Sequence, residues 1–273
     1  GIGDYICSKL AMSCKKPQLK DWEQLVNRIK SKKPQLKIGV VAKYMTNEDT
    51  YLSVFEAIRA AGWYHGLDSE IVWVDSEQTS YDDYEAMGLD GIVVPGGFGS
   101  RGVEGKIEAA RFARLNKVPY LGLCLGMQIA TIEFGRNVLG LKGAHSTEFD
   151  LNSPHPVIAL LDEQRKVTKK GGTMRLGSQP CQLSMGSKAQ QLYGAFVVNE
   201  RHRHRYEFND TYKKQIETAG MRITGTNPKT GLTEIVEIPK HPFFVGVQFH
   251  PELKSTVAMP HPLFVKFVKS CMK

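Results

Sequence analysis

The chain has 273 residues and a mass of 30.5 kDa, enough for one large or two small domains. Its 41% hydrophobic and 23% charged residues exclude collagen, a coiled coil and wholesale disorder. No apolar run approaches the roughly 20 residues that cross a bilayer, and the N-terminus has no continuous apolar stretch of the secretory kind. We therefore expect a cytoplasmic protein with no membrane partner.

The formal net charge of +8 is concentrated at the N-terminus, where residues 1–37 carry +6. The remaining chain is nearly neutral and contains no recognised RNA- or DNA-binding motif, so we expect no nucleic-acid partner. The five cysteines are an odd, widely spaced set without a C-x-x-C pair. Such a set favours free thiols over a disulfide framework or a zinc site.

Predicted strands and helices alternate along the first half of the chain. A lysine-rich linker with one amphipathic helix, at residues 19–29, occupies residues 1–36. Strands are predicted over 36–42, 70–75, 90–94 and 118–123, and helices over 50–61 (ended by Gly62), 103–115 and 125–134. This alternation predicts an α/β fold in which a mostly parallel central sheet has helices on both faces.

The pattern is looser in the second half, where we predict extra strands and loops over residues 140–240. Late strands are predicted over 220–226, 232–238 and 243–249, followed by an amphipathic closing helix over 262–272. We therefore assign residues 37–273 to one domain that follows the 1–36 linker.

Residues 120–128, YLGLCLGMQ, place a cysteine where a strand passes directly into a helix. This is the pattern of a nucleophile elbow with sulfur in place of oxygen. The glycines on either side of Cys124 permit a sharp turn and close packing, and the helix N-terminus favours a thiolate. The pattern predicts a reactive Cys124, with a buried structural cysteine as the alternative.

A thiolate that attacks a carbonyl needs a base and oxyanion donors. His250 follows a late strand, and Glu252 stands where it could orient the imidazole; a structural or solvated histidine is the alternative. Residues 93–102, VVPGGFGSRG, form a glycine-rich loop that matches neither the Walker nor the dinucleotide-binding pattern. We predict an oxyanion hole made by the N–H groups of Gly97 and Leu125, with a plain tight turn as the alternative.

The motifs PGGFGSRG, GLCLGMQ and FHPE, in this order, resemble those of the triad (class I) glutamine amidotransferases, which have a flavodoxin-like fold. Their glutaminase domains hydrolyse glutamine to glutamate and ammonia. The stretches HSTEF (145–149), GGTMRLG (171–177), ERHRHRYE (200–207) and ICSKL (6–10) are similar to one branch, the glutaminase domain of CTP synthases and the linker before it. The resemblance covers essentially the whole chain.

The resemblance implies a role for each matching residue. Cys124 would be the nucleophile that forms a γ-glutamyl thioester, His250 the general acid and base, and Glu252 its orienting partner. L-Glutamine would be bound by Gly97, Leu125, Gln128, Glu148 and Arg205.

The charges of two of these residues suit the amino-acid head of glutamine. An α-ammonium group pairs with a carboxylate such as Glu148, and an α-carboxylate with a forked guanidinium such as Arg205. From the residues alone, Arg205 is not distinguishable from Arg201 and Arg203. A phosphate- or nucleic-acid-binding surface is the competing interpretation of this Arg-His-Arg-His-Arg run, but no matching motif accompanies it.

CTP synthases also have an N-terminal amidoligase domain that binds ATP and Mg and aminates UTP, and nothing in this sequence matches its P-loop. The resemblance therefore implies a fragment with no cofactor of its own, whose partner is the amidoligase domain. It also implies that GTP activates at the interdomain edge and that the full-length enzyme is a homotetramer. Without that domain, we expect weak glutamine turnover that does not respond to GTP.

Two points stay open at this stage. Residues 162–170 depart from the pattern expected of the family, which leaves the 162–177 loop unassigned. Another Cys-His-Glu hydrolase, such as a γ-glutamyl hydrolase, and a non-catalytic binding domain are the alternative functions.

Overall fold

The computed structural model describes residues 1–13, 15–43, 48–160 and 174–272. It divides into two compact units, Gly1–Lys33 and Pro34–Lys273. The first unit contains the helices α1 (Ile2–Lys9) and α2 (Lys20–Lys30). Helix α2 lies within one residue of the helix predicted over 19–29. No helix in the described ranges is long and apolar enough to cross a membrane.

The second unit alternates strands and helices from Gln35 onward. Its helices are α3 (Leu52–Tyr64), α4 (Tyr81–Met87), α5 (Val103–Asn116), α6 (Leu125–Asn137), α7 (Lys188–Tyr193), α8 (Lys213–Thr218) and α9 (Pro262–Cys271). Its strands are β1 (Gln35–Ala42), β2 (Asp68–Asp75), β3 (Gly91–Val94), β4 (Tyr120–Leu123), β5 (Ala144–Ser146), β6 (His155–Ala159), β7 (Arg175–Leu183), β8 (Val197–His204), β9 (Glu207–Phe208), β10 (Arg222–Thr226), β11 (Thr233–Glu237) and β12 (Phe244–Val247). Short 3-10 turns lie at Glu48–Tyr51, Asp210–Tyr212 and Pro251–Lys254.

Within the described residues, the main sheet has nine strands in the order β2-β1-β3-β4-β12-β11-β10-β7-β8. The first five strands of this order are mutually parallel. From β12 onward each strand pairs antiparallel with the next. A second, three-stranded sheet has the order β5-β6-β9. The predicted fold class is confirmed, and the extra strands expected in 140–240 extend the parallel sheet and form the small one.

Helices cover both faces of the parallel part of the sheet. One face packs against α4, α5 and α6, and the other against α3 and α9. Strand β1 contributes to both layers, with Val41 on the first face and Ile38 and Val40 on the second. Strands that are buried on both faces have continuous apolar sequences. For this reason β1, β3 and β4 could be predicted from the sequence.

Two sequence-based expectations are wrong. Helix α3 runs through Gly62 to Tyr64, whereas Gly62 was expected to end it. A Cβ at Gly62 would lie 2.6 Å from the Ser69 Oγ of β2, so this glycine permits close packing of helix on strand. Cys124, Cys181 and Cys271 are free thiols as expected, but Cys7 is disulfide-bonded. An odd cysteine count is compatible with one disulfide, which the whole-chain spacing does not indicate.

The segment that departs from the family pattern, residues 162–170, lies outside the described residues, as do the first three residues of GGTMRLG. The last four residues of that stretch, 174–177, lead into and begin β7.

Candidate active site

Cys124 lies at the junction of β4 and α6, in a backbone conformation that side chains rarely adopt. Its φ is 51° and its ψ is −99°. The turn is fixed by a hydrogen bond from the Cys124 N–H to the Val247 carbonyl (2.7 Å) and by the Met127 N–H, which donates to the Cys124 carbonyl (3.1 Å). A Cβ at Gly122 would lie 2.6 Å from the backbone of Gly126, so the elbow glycines serve close packing while Cys124 itself carries the positive φ.

His250, which is partly buried, and Glu252, which is buried, form a pair shortly after β12. The Nδ1 atom of His250 and the Oε1 atom of Glu252 are 2.7 Å apart. Glu252 lies in the 3-10 turn Pro251–Lys254, and the His250 N–H donates to the Arg201 carbonyl (2.8 Å), so the ring and its carboxylate are held from two sides. This contact orients the ring: Nδ1 donates its proton to the carboxylate, and Nε2 faces away from it.

His250 and Cys124 pack against the same glycine. A Cβ at Gly96 would lie 2.8 Å from His250 Cε1 and 3.4 Å from Cys124 Cβ. Burial lowers the pKa of His250, but hydrogen bonds and charge interactions with Cys124 and Glu252 outweigh it and raise the pKa to about 10. These interactions favour a protonated imidazole beside the sulfur.

Cys124 borders a cavity of about 170 Å³ and is otherwise buried. The cavity lining includes every residue predicted to bind glutamine: Gly97, Leu125, Gln128, Glu148 and Arg205. A neighbouring cavity of about 380 Å³ borders His250 and Glu252 and shares Gly97, Phe98 and Arg203 with the first. The structure thus brings the predicted nucleophile and recognition residues around one space, and the histidine pair around the adjoining one.

The first cavity has charges of both signs. Glu148 Oε1 accepts a hydrogen bond from the Gly99 N–H at 3.0 Å. Burial raises the pKa of Glu148, while that hydrogen bond and the positive charges of Lys43 and Arg205 act in the opposite direction. A half-buried carboxylate and a guanidinium at one cavity are the pair that an amino acid's ammonium and carboxylate groups require.

The predicted oxyanion donors are neighbours. A Cβ at Gly97 would be in van der Waals contact with Leu125 Cδ2 at 3.5 Å. Leu125 is the first residue of α6. The first N–H groups of a helix have no partner within it, so the Leu125 N–H is available to a bound oxyanion.

Burial alternates along the Arg-His-Arg-His-Arg run because most of the run lies in a strand. In β8 the side chains of His202 and His204 are buried, whereas those of Arg201 and Arg203 are exposed. Arg203 and Arg205 line the cavity, and the Arg203 guanidinium also lies 5.8 Å from the centre of the Phe98 ring. Arg201 does not line it. The alternation of side chains along a strand, applied to residues 200–204, predicts which side chains of the run are buried and which are exposed. It does not distinguish Arg203 from Arg205.

Sequence reasoning missed a largely buried ionic cluster next to His204, a residue that lines the cavity. Arg175 Nη2 is 2.6 Å from Glu234 Oε1, and its Nη1 is 3.2 Å from Glu207 Oε1. His202 Nδ1 and His204 Nε2 are 2.9 Å apart. Burial, reinforced by the charges of Arg175 and His250, lowers the pKa of His202 to about 3, so the histidine pair is neutral.

A second missed residue is Gln248, whose side-chain Nε2 lies 3.7 Å from Cys124 Sγ. Its position two residues before His250, after an apolar strand, was the available signal.

A family model described as "Glutamine amidotransferase class-I" matches residues 47–270. The chain belongs to the class I glutamine amidotransferase family. This amidotransferase chain is 53% identical over 275 residues to the CTP synthase of Carboxydothermus hydrogenoformans and 52% identical over 276 residues to that of Roseiflexus sp.. Each alignment covers all of this chain and 51% and 50% of the relative, respectively, so the chain spans about half the length of the curated relatives it matches.

Among solved structures, the amidotransferase chain is similar to the Trypanosoma brucei CTPS glutaminase domain with bound acivicin. The two share 39% sequence identity with a TM-score of 0.80, and the match covers 86% of this chain and 93% of that one. These matches confirm the predicted family, its fold and the likeness to the glutaminase domain of CTP synthases.

Proposed function

We propose that this chain hydrolyses L-glutamine to glutamate and ammonia through a thioester on Cys124, and that the ammonia serves the amination of UTP to CTP by a synthase domain. The observation that carries the proposal is the arrangement at one site. An elbow cysteine and His250 pack on the same glycine, and the cavity that Cys124 borders is also lined by Glu148 and Arg205.

Substrate binding uses the charged end of the cavity. Glu148 pairs with the α-ammonium group of glutamine and Arg205 with the α-carboxylate, which leaves the γ-carboxamide directed toward the sulfur. Gln128, buried on the first turn of α6, lines the same space.

Acylation begins when the Cys124 thiolate attacks the γ-carbon of the carboxamide. The carbonyl oxygen becomes an oxyanion, which the N–H groups of Gly97 and Leu125 stabilise. His250 then donates its Nε2 proton to the amide nitrogen, the C–N bond breaks, and ammonia leaves. The products of this step are ammonia and the γ-glutamyl thioester, with His250 neutral.

Deacylation reverses the proton's direction. Neutral His250 takes a proton from water, and the resulting hydroxide attacks the thioester carbon. The C–S bond breaks, glutamate leaves, and the thiolate and the imidazolium are both regenerated. Glu252 stays hydrogen-bonded to Nδ1 in both steps, which keeps Nε2 facing the reacting atoms.

The remaining parts of the proposal concern the protein beyond this site. Residues 1–36 form a linker to an amidoligase domain that binds ATP and Mg, and residues 37–273 form the glutaminase domain. GTP activates the enzyme at the edge between the two domains. The full-length enzyme is a homotetramer. Support comes from the curated CTP synthases, which match this chain along its entire length and are about twice as long.

Labelling with an electrophilic glutamine analogue, followed by mass spectrometry, tests the proposal. We expect one adduct on Cys124, protection by excess glutamine, and none on Cys181 or Cys271, which are buried away from the cavity. Labelling that spreads over several thiols, or that glutamine does not suppress, would contradict a glutamine site.

Two other functions predict different outcomes in the same assays. A γ-glutamyl hydrolase would turn over γ-glutamyl peptides faster than free glutamine. A non-catalytic binding domain would give neither ammonia nor a Cys124 adduct. Cys124→Ala serves as the matched control, because it removes the sulfur and should abolish ammonia release.

A further inference from the structure

Gln248 contacts the sulfur of the nucleophile from the interior of the protein. It follows β12 by one residue, and its backbone N–H donates to the Glu234 carbonyl at 2.8 Å. Its side chain is completely buried. The amide therefore cannot exchange its partners for water, and each of its hydrogen bonds has to be made within the protein.

The partners of this amide fix which of its ends faces the sulfur. Gln128 Nε2 donates to the Tyr206 carbonyl (3.1 Å) and to Gln248 Oε1 (3.3 Å). A backbone carbonyl only accepts, so it sets the orientation of the Gln128 amide. That orientation makes the Gln248 oxygen the acceptor, and the Gln248 nitrogen consequently points at Cys124 Sγ, 3.7 Å away.

We propose that Gln248 is a further residue of the catalytic site, a neutral N–H donor that stabilises and positions the Cys124 thiolate. This inference rests on the proposed function for its kinetic part only. The donor acts on the sulfur from inside the protein, whereas His250 packs against Gly96 on the cavity side. An N–H donor favours the anion over the thiol because a hydrogen bond to a charged acceptor is stronger than one to a neutral acceptor.

The hydrogen bonds of Gln248 and Gln128 connect the sulfur to the substrate cavity. Gln128 lines the cavity, and its amide holds the Gln248 amide in place. A shift of Gln128 on substrate binding would therefore change the hydrogen bond at the sulfur. Gln248 is thus a contact of the reacting atom, and Gln128 is its positioning residue.

The test measures thiolate formation directly, without relying on turnover. Cys124 alkylation by iodoacetamide is followed by mass spectrometry across a range of pH, for the parent chain and for Gln248→Met and Gln248→Glu. Methionine keeps the volume and lacks an N–H group. Because hydrogen bonds to charged groups favour the charged form by about tenfold or more, we expect the profile midpoint of Gln248→Met to lie about one pH unit higher, with about tenfold slower alkylation at pH values below the midpoint.

Gln248→Glu provides a second arm if the methionine variant does not fold. Its carboxylate has the shape of the amide but no hydrogen to donate at neutral pH, and it repels the thiolate, so alkylation should slow further. Gln191→Met, on the exposed surface of α7, is the matched control and should leave the profile unchanged. If folded Gln248 variants have the parent's alkylation profile, Gln248 has no role at the sulfur.

The two proposals fail in distinguishable ways. If the parent chain releases no ammonia from glutamine but its Cys124 still depends on Gln248 for rapid alkylation, the glutaminase function is wrong and the role of Gln248 stands. If glutamine turnover depends on Cys124 and the Gln248 variants alkylate and turn over like the parent, the role of Gln248 is wrong and the function stands.

Discussion

Replacing Glu252 by Gln isolates the charge at the histidine pair. The Glu252 carboxylate lies 2.7 Å from His250 Nδ1, and with Cys124 it raises the pKa of His250 to about 10. A hydrogen bond between charged groups contributes about 1.5–3 kcal/mol, and a neutral amide oxygen retains part of it. We therefore expect the substitution to remove about 1.4 kcal/mol, which lowers the pKa of His250 by about one unit.

Two measurements check this value. NMR titration of the ¹³C-labelled imidazole should show the lower pKa directly, and the basic limb of the kcat/KM profile for glutamine should move to lower pH by a similar amount. Turnover at neutral pH should fall by about tenfold and not vanish, since the amide still orients the ring. Glu104→Gln is the control, because Glu104 is 68% exposed and pairs with Arg136. Wild-type turnover and titration by the Glu252→Gln variant would remove Glu252 from the site.

The substitution also has a consequence for stability with a definite sign. The pKa of His250 is raised from 6.5 to about 10 in the folded chain. The folded state therefore binds this proton more tightly than the unfolded state does, and the resulting stabilisation is fully present below pH 6.5 and is lost as the pH rises through about 10. Denaturant unfolding over that interval should show a smaller pH dependence in Glu252→Gln.

Four further predictions follow from the site. Cys124→Gly should be more stable than Cys124→Ala, because the φ of 51° strains any side chain. Elsewhere in a helix or strand, alanine is usually the more stable of the two by roughly 0.5–1 kcal/mol. Thermal melts of both variants check the prediction. Gly96→Ala should abolish most glutaminase activity with little loss of secondary structure, because the new Cβ would meet His250 at 2.8 Å. Arg205→Lys should raise KM for glutamine by roughly tenfold with a smaller change in kcat, since an ammonium group cannot bind a carboxylate bidentately; steady-state kinetics decide. The pKa of His202 is lowered from 6.5 to about 3 in the folded chain. As the pH falls below 6.5, the unfolded chain therefore takes up a proton that the folded chain does not. The free energy of unfolding should for this reason be roughly 2 kcal/mol lower at pH 5 than at pH 7. His202→Gln should reduce that dependence.

The proposed catalytic groups could be located from the sequence because of where their strands lie. The PGGFG loop follows β3, Cys124 follows β4, and His250 follows β12, and these three strands are adjacent and parallel. The carboxyl ends of parallel neighbours meet at one edge of a sheet, so motifs at those ends come together wherever they stand in the chain. Apolar runs located the strands, and glycine, cysteine and histidine marked their ends.

The arginines that line the cavity could not be located in this way. Strand β8 is four places beyond β12 in the antiparallel half of the sheet, and no pairing rule brings its residues to the edge that carries Cys124. The hydrogen bond from the His250 N–H to the Arg201 carbonyl, and that from Lys254 Nζ to the Asn199 carbonyl (2.6 Å), show that this half of the sheet curls back until β8 meets the segment after β12. Such curvature depends on the sum of the twists of the intervening strands, which a local pattern does not contain. Arg205 could therefore be placed at the cavity by resemblance or by coordinates, whereas Cys124 and His250 could be placed by physical reasoning from the sequence alone.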